Sequence, residues 1–494
     1  MARATLPLAR ARRWGVLQRP AAQLVLACGT IGLVYGGMLA APLPIWAGHP
    51  SGPGAPGGPP QEPAGWVGLA VAIGFVLTLC LPYRPYSLAL RALTTGAITT
   101  RLLVALTALL AVVGLLIFPR FGSDVFDYAG FERLWVVYDD NPLLSLVANR
   151  PDDWGAALVW YPSWVPGYGP LWAVLTWPIV RLAGESVTAE LVGYKLLSAV
   201  GYVGCCWLIW TSVEPARRQR ALVLFAWSPM VLFETLGKVH NDVFPALSML
   251  AMVWFMRRGH GVASLLAIVA GGLTKPTALS AAPPLAVNLW RSGGWRRLLP
   301  ALLGGVVLAG VCYAPFWAGL RTFTAVWQQT THLGWSVATL LIVGATWLTG
   351  SHFDVAIRVL LGLVWVGMCG GLLIARRVDR PANLAASSGW LLLATLLLLT
   401  GGVFGHYLVP AVALAAVADS PRLERVVVWL SIGGLAAYGP ELVGLAFDPR
   451  WIGSAGYQVV GTLVLLGPAL LSEVILALRT LSRPGRRVEC EHQR

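Results

Sequence analysis

Charge is scarce in this chain: Asp, Glu, Lys and Arg make up only 12% of its 494 residues, while 57% are hydrophobic. A soluble globular domain carries roughly 25% charged residues, so that class is excluded. Lysine is scarcer still, with three copies against 33 arginines. Cysteine is limited to seven, among them the adjacent Cys205 and Cys206 inside an apolar run. None has metal-ligand spacing, so they read as small core residues and not as a disulfide framework.

What fills the chain is a succession of apolar runs. A bilayer-spanning helix needs about 20 apolar residues at about 1.5 Å of rise each. Runs at 21–41, 64–82, 101–118, 190–211, 298–316, 353–375, 384–402, 426–446 and 456–479 come near or exceed that length. Shorter ones at 168–183, 220–234, 241–256, 262–274, 276–290 and 405–418 fit half-membrane or re-entrant pieces. Lipid offers no partner to the edge of an open sheet. The expected fold is therefore all-α, a single polytopic integral membrane domain over 1–494 with about 12–14 transmembrane or re-entrant helices.

The net charge of +14 lies in short arginine clusters: Arg10, Arg12 and Arg13; Arg217, Arg218 and Arg220; Arg257 and Arg258; Arg291, Arg296 and Arg297; Arg376, Arg377 and Arg380; Arg483, Arg486 and Arg487. Such clusters mark cytoplasmic loops, and this spread argues against a nucleic-acid partner. The frame that follows has a cytoplasmic N-terminus at 1–20 and an uncleaved first helix. A flexible external Pro/Gly loop at 42–64, a large external loop at 119–167 and a cytoplasmic tail at 480–494 complete it. Alternation of sides requires one short or tilted segment near 168–189, and a non-crossing run at 336–350.

On the opposite side from the arginines lie Asp124, Asp127, Lys238, His240, Asn241, Asp242, Lys275, His332, His406 and Tyr407. Seven of the 22 acidic residues fall between Phe121 and Asp153. Carboxylates crowded at a membrane boundary are costly unless they bind or react. Ser123 is a candidate N-cap for a short amphipathic helix through Val137 that sets Asp124, Asp127 and Tyr128 on adjacent turns. At the positive end of that helix Asp124 stays ionised and can accept a proton from an alcohol. The plainer reading has Asp124 capping and Arg133 neutralising Asp127.

In Gly237-Lys238-Val239-His240-Asn241-Asp242, Lys238 and His240 are expected near an anionic head group, with Asp242 orienting the imidazole; the alternative is an ordinary Asn-Asp cap. One His and one Asp are too few to assert a metal; no cofactor is required, and a divalent metal is left open. Lys275 at a helix junction would be an unpaired ammonium costing about 2.5–3.5 kcal/mol, a cost a phosphate would offset; the duller account is a snorkelling lysine. His406-Tyr407 suits a phosphate or sugar, or an interfacial aromatic belt. One base beside several cations fits group transfer from a phosphate-linked donor better than hydrolysis, which needs a second carboxyl as acid.

These residues resemble the GT-C superfamily of polytopic glycosyltransferases. Within it the chain looks most like the polyprenyl-phosphate-mannose-dependent α-(1→6)-mannosyltransferases of actinobacterial lipoglycan synthesis. The likeness rests on Ser123-Asp124-Val125-Phe126-Asp127-Tyr128, Asn141-Pro142, Tyr168-Gly169-Pro170-Leu171, His240-Asn241-Asp242 and Lys275-Pro276, in that order. It departs at Phe131-Glu132-Arg133 and at Leu143, positions that bear on the sugar and the acceptor.

The resemblance implies that Asp124 is the base, with Lys275, His240, Lys238 and His406 on the donor phosphate. Asp127, Tyr128, Arg133, Asp242 and Tyr407 would then shape the donor and acceptor pocket. The implied partners are a polyprenyl-phosphate sugar, a glycan or glycolipid acceptor and membrane lipids. The implied location is the bacterial plasma membrane, with an extracytoplasmic active site. A transporter or flippase of a lipid-linked or anionic solute is the competing reading.

Overall fold

The computed structural model describes residues 19–38, 65–96, 98–119, 124–159, 162–374 and 378–481. The basic N-terminus, the 42–64 loop, Ser123, Arg376, Arg377 and the tail beyond 481 lie outside them. Helices account for the architecture, and no strand occurs among the described residues.

Eight helices are long and apolar enough to cross a membrane: Pro20–Gly37, Gly65–Thr95, Val187–Ser212, Trp295–Phe316, Asp354–Leu372, Pro381–Leu399, Pro421–Phe447 and Ala455–Arg479. A ninth would be the pair Pro215–Ala226 and Pro229–Gly237, bent by 49°. Six apolar helices are shorter. Two of these occupy the stretches where alternation required an irregular segment: Pro170–Ala183, of 14 residues, and Val337–Thr349, of 13. Close packing in such a bundle relies on small residues rather than on apolar burial alone. A Cβ on Gly433 would sit 2.1 Å from the Leu465 carbonyl oxygen, which is how Pro421–Ala436 crosses Ala455–Leu481 so closely.

The bundle has two chemically distinct ends, separated by the Thr100–Leu116 helix. Its 17 residues span about 25 Å. Near its start, Ile98 exchanges two hydrogen bonds with the Gln219 side chain, beside the Arg220–Glu424 and Arg217–Asp419 ion pairs. Past its other end, the Ile117 carbonyl accepts from Lys195 Nζ, as do those of Leu236 and Gly237. Lys195 thus clamps the carbonyl-rich ends of two helices, where a cation is favoured. All three lysines gather at this second end, with Asp124.

The Asp124–Tyr138 helix is fastened onto that end. Val125, Tyr128 and Ala129 pack with Trp172, Leu191, Tyr194 and Val239. The helix is not amphipathic as expected: every position from Asp127 to Leu134 is buried. Glu132 and Arg133 on it are buried against protein, Arg133 against the segment 147–185 that folds over the helix. Arg133 grips Asp153 through two nitrogens at 2.8 Å, reaches Glu185 at 2.9 Å and donates to the Gly184 carbonyl. Its guanidinium also lies 4.4 Å from the Trp154 ring. Burial raises the Asp153 carboxyl, but the bonds from Arg133 and the Gly155 N–H outweigh it and hold the group below its ordinary range.

Arg133 therefore neither neutralises Asp127 nor shapes a ligand pocket; it ties the 147–185 segment down. Lysine keeps the charge but loses the two-pronged fit. Arg133→Lys is expected to cost about 1–3 kcal/mol, read as a lower melting temperature in detergent with helical circular dichroism retained.

Candidate active site

Asp124 opens its helix, so the N-terminal dipole favours its carboxylate. Its Oδ2 receives the Tyr168 hydroxyl at 3.1 Å and the Tyr128 hydroxyl at 3.4 Å, and faces His240 Nδ1 at 3.4 Å. Tyr128 is itself fixed by accepting from the Asn241 N–H at 3.0 Å. Burial alone would push the Asp124 carboxyl up; the imidazoles of His240 and His406 and the Lys275 ammonium outweigh it and hold it well below the usual range. These neighbours favour the ionised form of Asp124 at neutral pH.

His240 owes its position to an unusual stretch of backbone. Leu232–Gly237 is a π-helical turn, a feature common at functional sites. Val239 follows with φ of +66°, which a β-branched residue adopts only under constraint. This puts the imidazole between two carboxylates, with Nε2 3.3 Å from Glu234 Oε2 on the side away from Asp124. The ring stacks on His406 with centroids 3.8 Å apart and planes within 7°.

Lys275 donates to Asp242 Oδ2 at 2.8 Å and lies 4.1 Å from the Tyr407 ring. The ammonium is therefore paired, not orphaned as its sequence setting suggested. Asp242 also stands 4.0 Å from His406 Nε2. It neither caps the helix that follows nor orients His240. That second task falls to Glu234 and Asp124.

Two glycines allow these loops to meet. Gly169 lies against Leu273, whose carbonyl oxygen a Cβ would approach to 2.2 Å. The Gly169 N–H donates to the Thr274 carbonyl, so the Tyr168-Gly169 pair sets both Tyr168 and the Lys275 loop. Gly401 is equally pressed, with a Cβ falling 2.0 Å from the His332 carbonyl oxygen. That contact seats the segment leading to His406 against the 329–335 loop.

The loops enclose a cavity of about 310 Å³. Asp124, Asp127, Tyr168, Lys275, His406 and Tyr407 line its polar end; Val326, Leu399 and Phe404 supply apolar wall, and Trp164, Gln329 and His332 a further rim. Of the candidate residues, Asp124, Lys275, His406, Asp127 and Tyr407 reach the cavity, and His240, Asp242 and Tyr128 support them from behind. Lys238 does not reach it: it is buried and donates to the Tyr438 hydroxyl at 2.9 Å, which donates onward to Glu234. The expectation that Lys238 meets the ligand is corrected on that ground. Sequence reasoning missed Glu234, although a lone acid within the apolar run 220–234 is itself a signal.

Residues 25–291, more than half of the chain, match the family model described as alpha-(1->6)-mannopyranosyltransferase, N-terminal domain. The chain belongs to this family. The matched stretch holds Asp124, His240, Asp242 and Lys275, while His332, His406 and Tyr407 lie beyond it. A curated relative, alpha-(1->6)-mannopyranosyltransferase A of Mycobacterium tuberculosis, is 24% identical over 356 residues, covering 66% of this chain and 67% of the relative. Two crystal structures of ArnT from Cupriavidus metallidurans are also similar. The one bound to undecaprenyl phosphate has a TM-score of 0.41 and 17% identity, covering 76% of this chain and 77% of that one. The apo structure has a TM-score of 0.40 and 18% identity, covering 74% and 76%. The chain is a membrane glycosyltransferase of the mannosyltransferase family, and the transporter reading is set aside.

Proposed function

We propose that this enzyme transfers mannose from a polyprenyl-phosphate donor to a hydroxyl of a cell-envelope glycan or glycolipid. The active site would face the extracytoplasmic side of the bacterial plasma membrane, and the new bond would be α, formed with inversion. The observation that carries this reading is the meeting of an ionised Asp124 with Lys275, His406 and an apolar wall in one cavity.

The chemistry follows from charge. As the bond from the anomeric carbon to the phosphate oxygen breaks, negative charge builds on the departing phosphate. Lys275 and His406 stand where they can oppose that charge, so no strong acid is needed for the leaving group. The acceptor hydroxyl attacks from the far side and gives its proton to Asp124. Attack opposite to departure inverts the anomeric configuration. The apolar wall suits the prenyl chain next to its phosphate.

The test is transfer by purified protein in detergent, using radiolabelled polyprenyl-phosphate mannose and short mannoside acceptors. Labelled oligosaccharide sensitive to an α-mannosidase is expected, with release of polyprenyl phosphate. Equal transfer from a sugar nucleotide, without any lipid-linked donor, would overturn the donor assignment.

A further inference from the structure

His332 stands out in the sequence beside Asp124, Lys275 and His406, yet the transfer chemistry gives it no task. Its ring meets Trp164 edge to face, with centroids 5.1 Å apart and planes at 86°. Trp164 is half-buried, His332 and Gln329 are exposed, and all three line the cavity that holds Asp124. Their positions are fixed by backbone contacts. Trp164 precedes Tyr168 by four residues, at most about 14 Å of extended chain, and the Tyr168 hydroxyl donates to Asp124 at 3.1 Å. Between them the Val165 N–H donates to Gln328 Oε1 at 3.3 Å. The Gln329 amide lies on Gly167, leaving no room there for a Cβ. Across the cavity the Gly401 N–H donates to the Gln329 carbonyl at 3.3 Å, and the Gly334 N–H to the Gly401 carbonyl at 2.6 Å. The segments carrying Trp164 and His332 are thereby tied to those carrying Tyr168 and His406.

We propose that Trp164, Gln329 and His332 form the acceptor subsite, a corner that holds an uncharged pyranose with its free hydroxyl towards Asp124. A pyranose has an apolar face of C–H groups and a polar edge of hydroxyls. The indole takes the C–H face through apolar burial and dispersion, and as a rigid ring it loses little conformational entropy in doing so. The imidazole at right angles to it, with the Gln329 amide, supplies donors and acceptors for the hydroxyl edge. Among the described lining residues, Asp124, Asp127 and Lys275 are the only Asp, Glu, Lys or Arg. The two carboxylates would repel an anionic sugar, which is why the subsite suits a neutral one. With a lipid-linked donor against Lys275, His406 and the apolar wall, the exposed rim is left to a glycan end arriving from water. The assignment rests on the transferase reading given above.

The experiment uses the full chain in detergent and two measurements. In the first, a short mannoside carrying a photoreactive diazirine is cross-linked to the wild-type protein and the labelled residues are read by mass spectrometry. Label on Trp164, Gln329 or His332, displaced by excess unmodified mannoside, is expected. This measurement needs no variant and so survives a misfolded one. In the second, Trp164→Ala is expected to raise the acceptor KM at least tenfold while the donor KM stays within about twofold. Trp164→Phe, which keeps a ring, is expected to recover most of that loss. No displaceable label, label only elsewhere, or an acceptor KM within twofold of wild type in a folded Trp164→Ala variant would overturn the subsite. Label at this corner in a chain that transfers nothing from the lipid-linked donor keeps the subsite and removes the donor reading. Transfer from that donor with label only elsewhere does the reverse.

Discussion

Asp124→Asn is expected to lower the rate of sugar transfer by about 10²–10⁴-fold, the usual worth of a positioned general base. The amide keeps the shape and still accepts from Tyr168 and Tyr128, so melting temperature and helical content are expected to change little by comparison. A carboxylate held so far below its ordinary range is a weak base towards an unactivated alcohol. In the proposed mechanism it would act late in the reaction, when bonding to an electron-poor anomeric carbon has made the hydroxyl acidic. The sign of the pH dependence follows. Because its folded-state pKa is depressed, Asp124 stays ionised as pH falls through the usual carboxylate range. An acid limb of kcat/KM near pH 4 is not expected from it. Turnover in a folded Asp124→Asn variant within a few-fold of wild type would remove Asp124 from the base role.

Much of this site is legible in the bare sequence, and the reason is physical. In a chain that is mostly apolar, a polar residue near a helix end is expensive, so each one is a signal. Asp124, His240, Lys275 and His406 stand out on that ground, and the fold brings all four to one place. What the sequence does not disclose is pairing. Asp242 lies two residues from His240, and adjacency suggests that it orients that ring; the turn into the following helix sends it to Lys275 instead. Lys238 and His240 are also close in sequence, yet the strained Val239 between them parts their directions, one towards Tyr438 and one towards Asp124.

The Asp124–Tyr138 helix misleads for a related reason. Its polar positions suggest a wet face, but Arg133, Asp153 and Glu185 satisfy each other across 52 residues of sequence. A periodicity argument has no access to a partner that distant. Glu234 fails differently, being hidden by its apolar neighbours. Its role depends on a π-helical turn that local sequence does not announce.

The Lys275–Asp242 pair gives the second large expectation. Both side chains are at least 95% buried, at 5% and 1% exposure, so neither charge has water to fall back on. Lys275→Met leaves the Asp242 carboxylate stranded and is expected to cost about 3–5 kcal/mol of stability. Loss of activity in that variant alone would not separate a folding defect from a lost phosphate contact. The double variant Lys275→Met/Asp242→Leu does. Replacing a buried ion pair by apolar side chains of similar volume is often close to neutral, so thermal melting should recover most of the way to wild type. If Lys275 also opposes the donor phosphate, the recovered fold will still need at least tenfold more donor for half-maximal rate, about 1.4 kcal/mol of lost binding. A stable double variant with unchanged donor dependence would leave Lys275 a purely structural partner of Asp242, and the phosphate would then rest on His406.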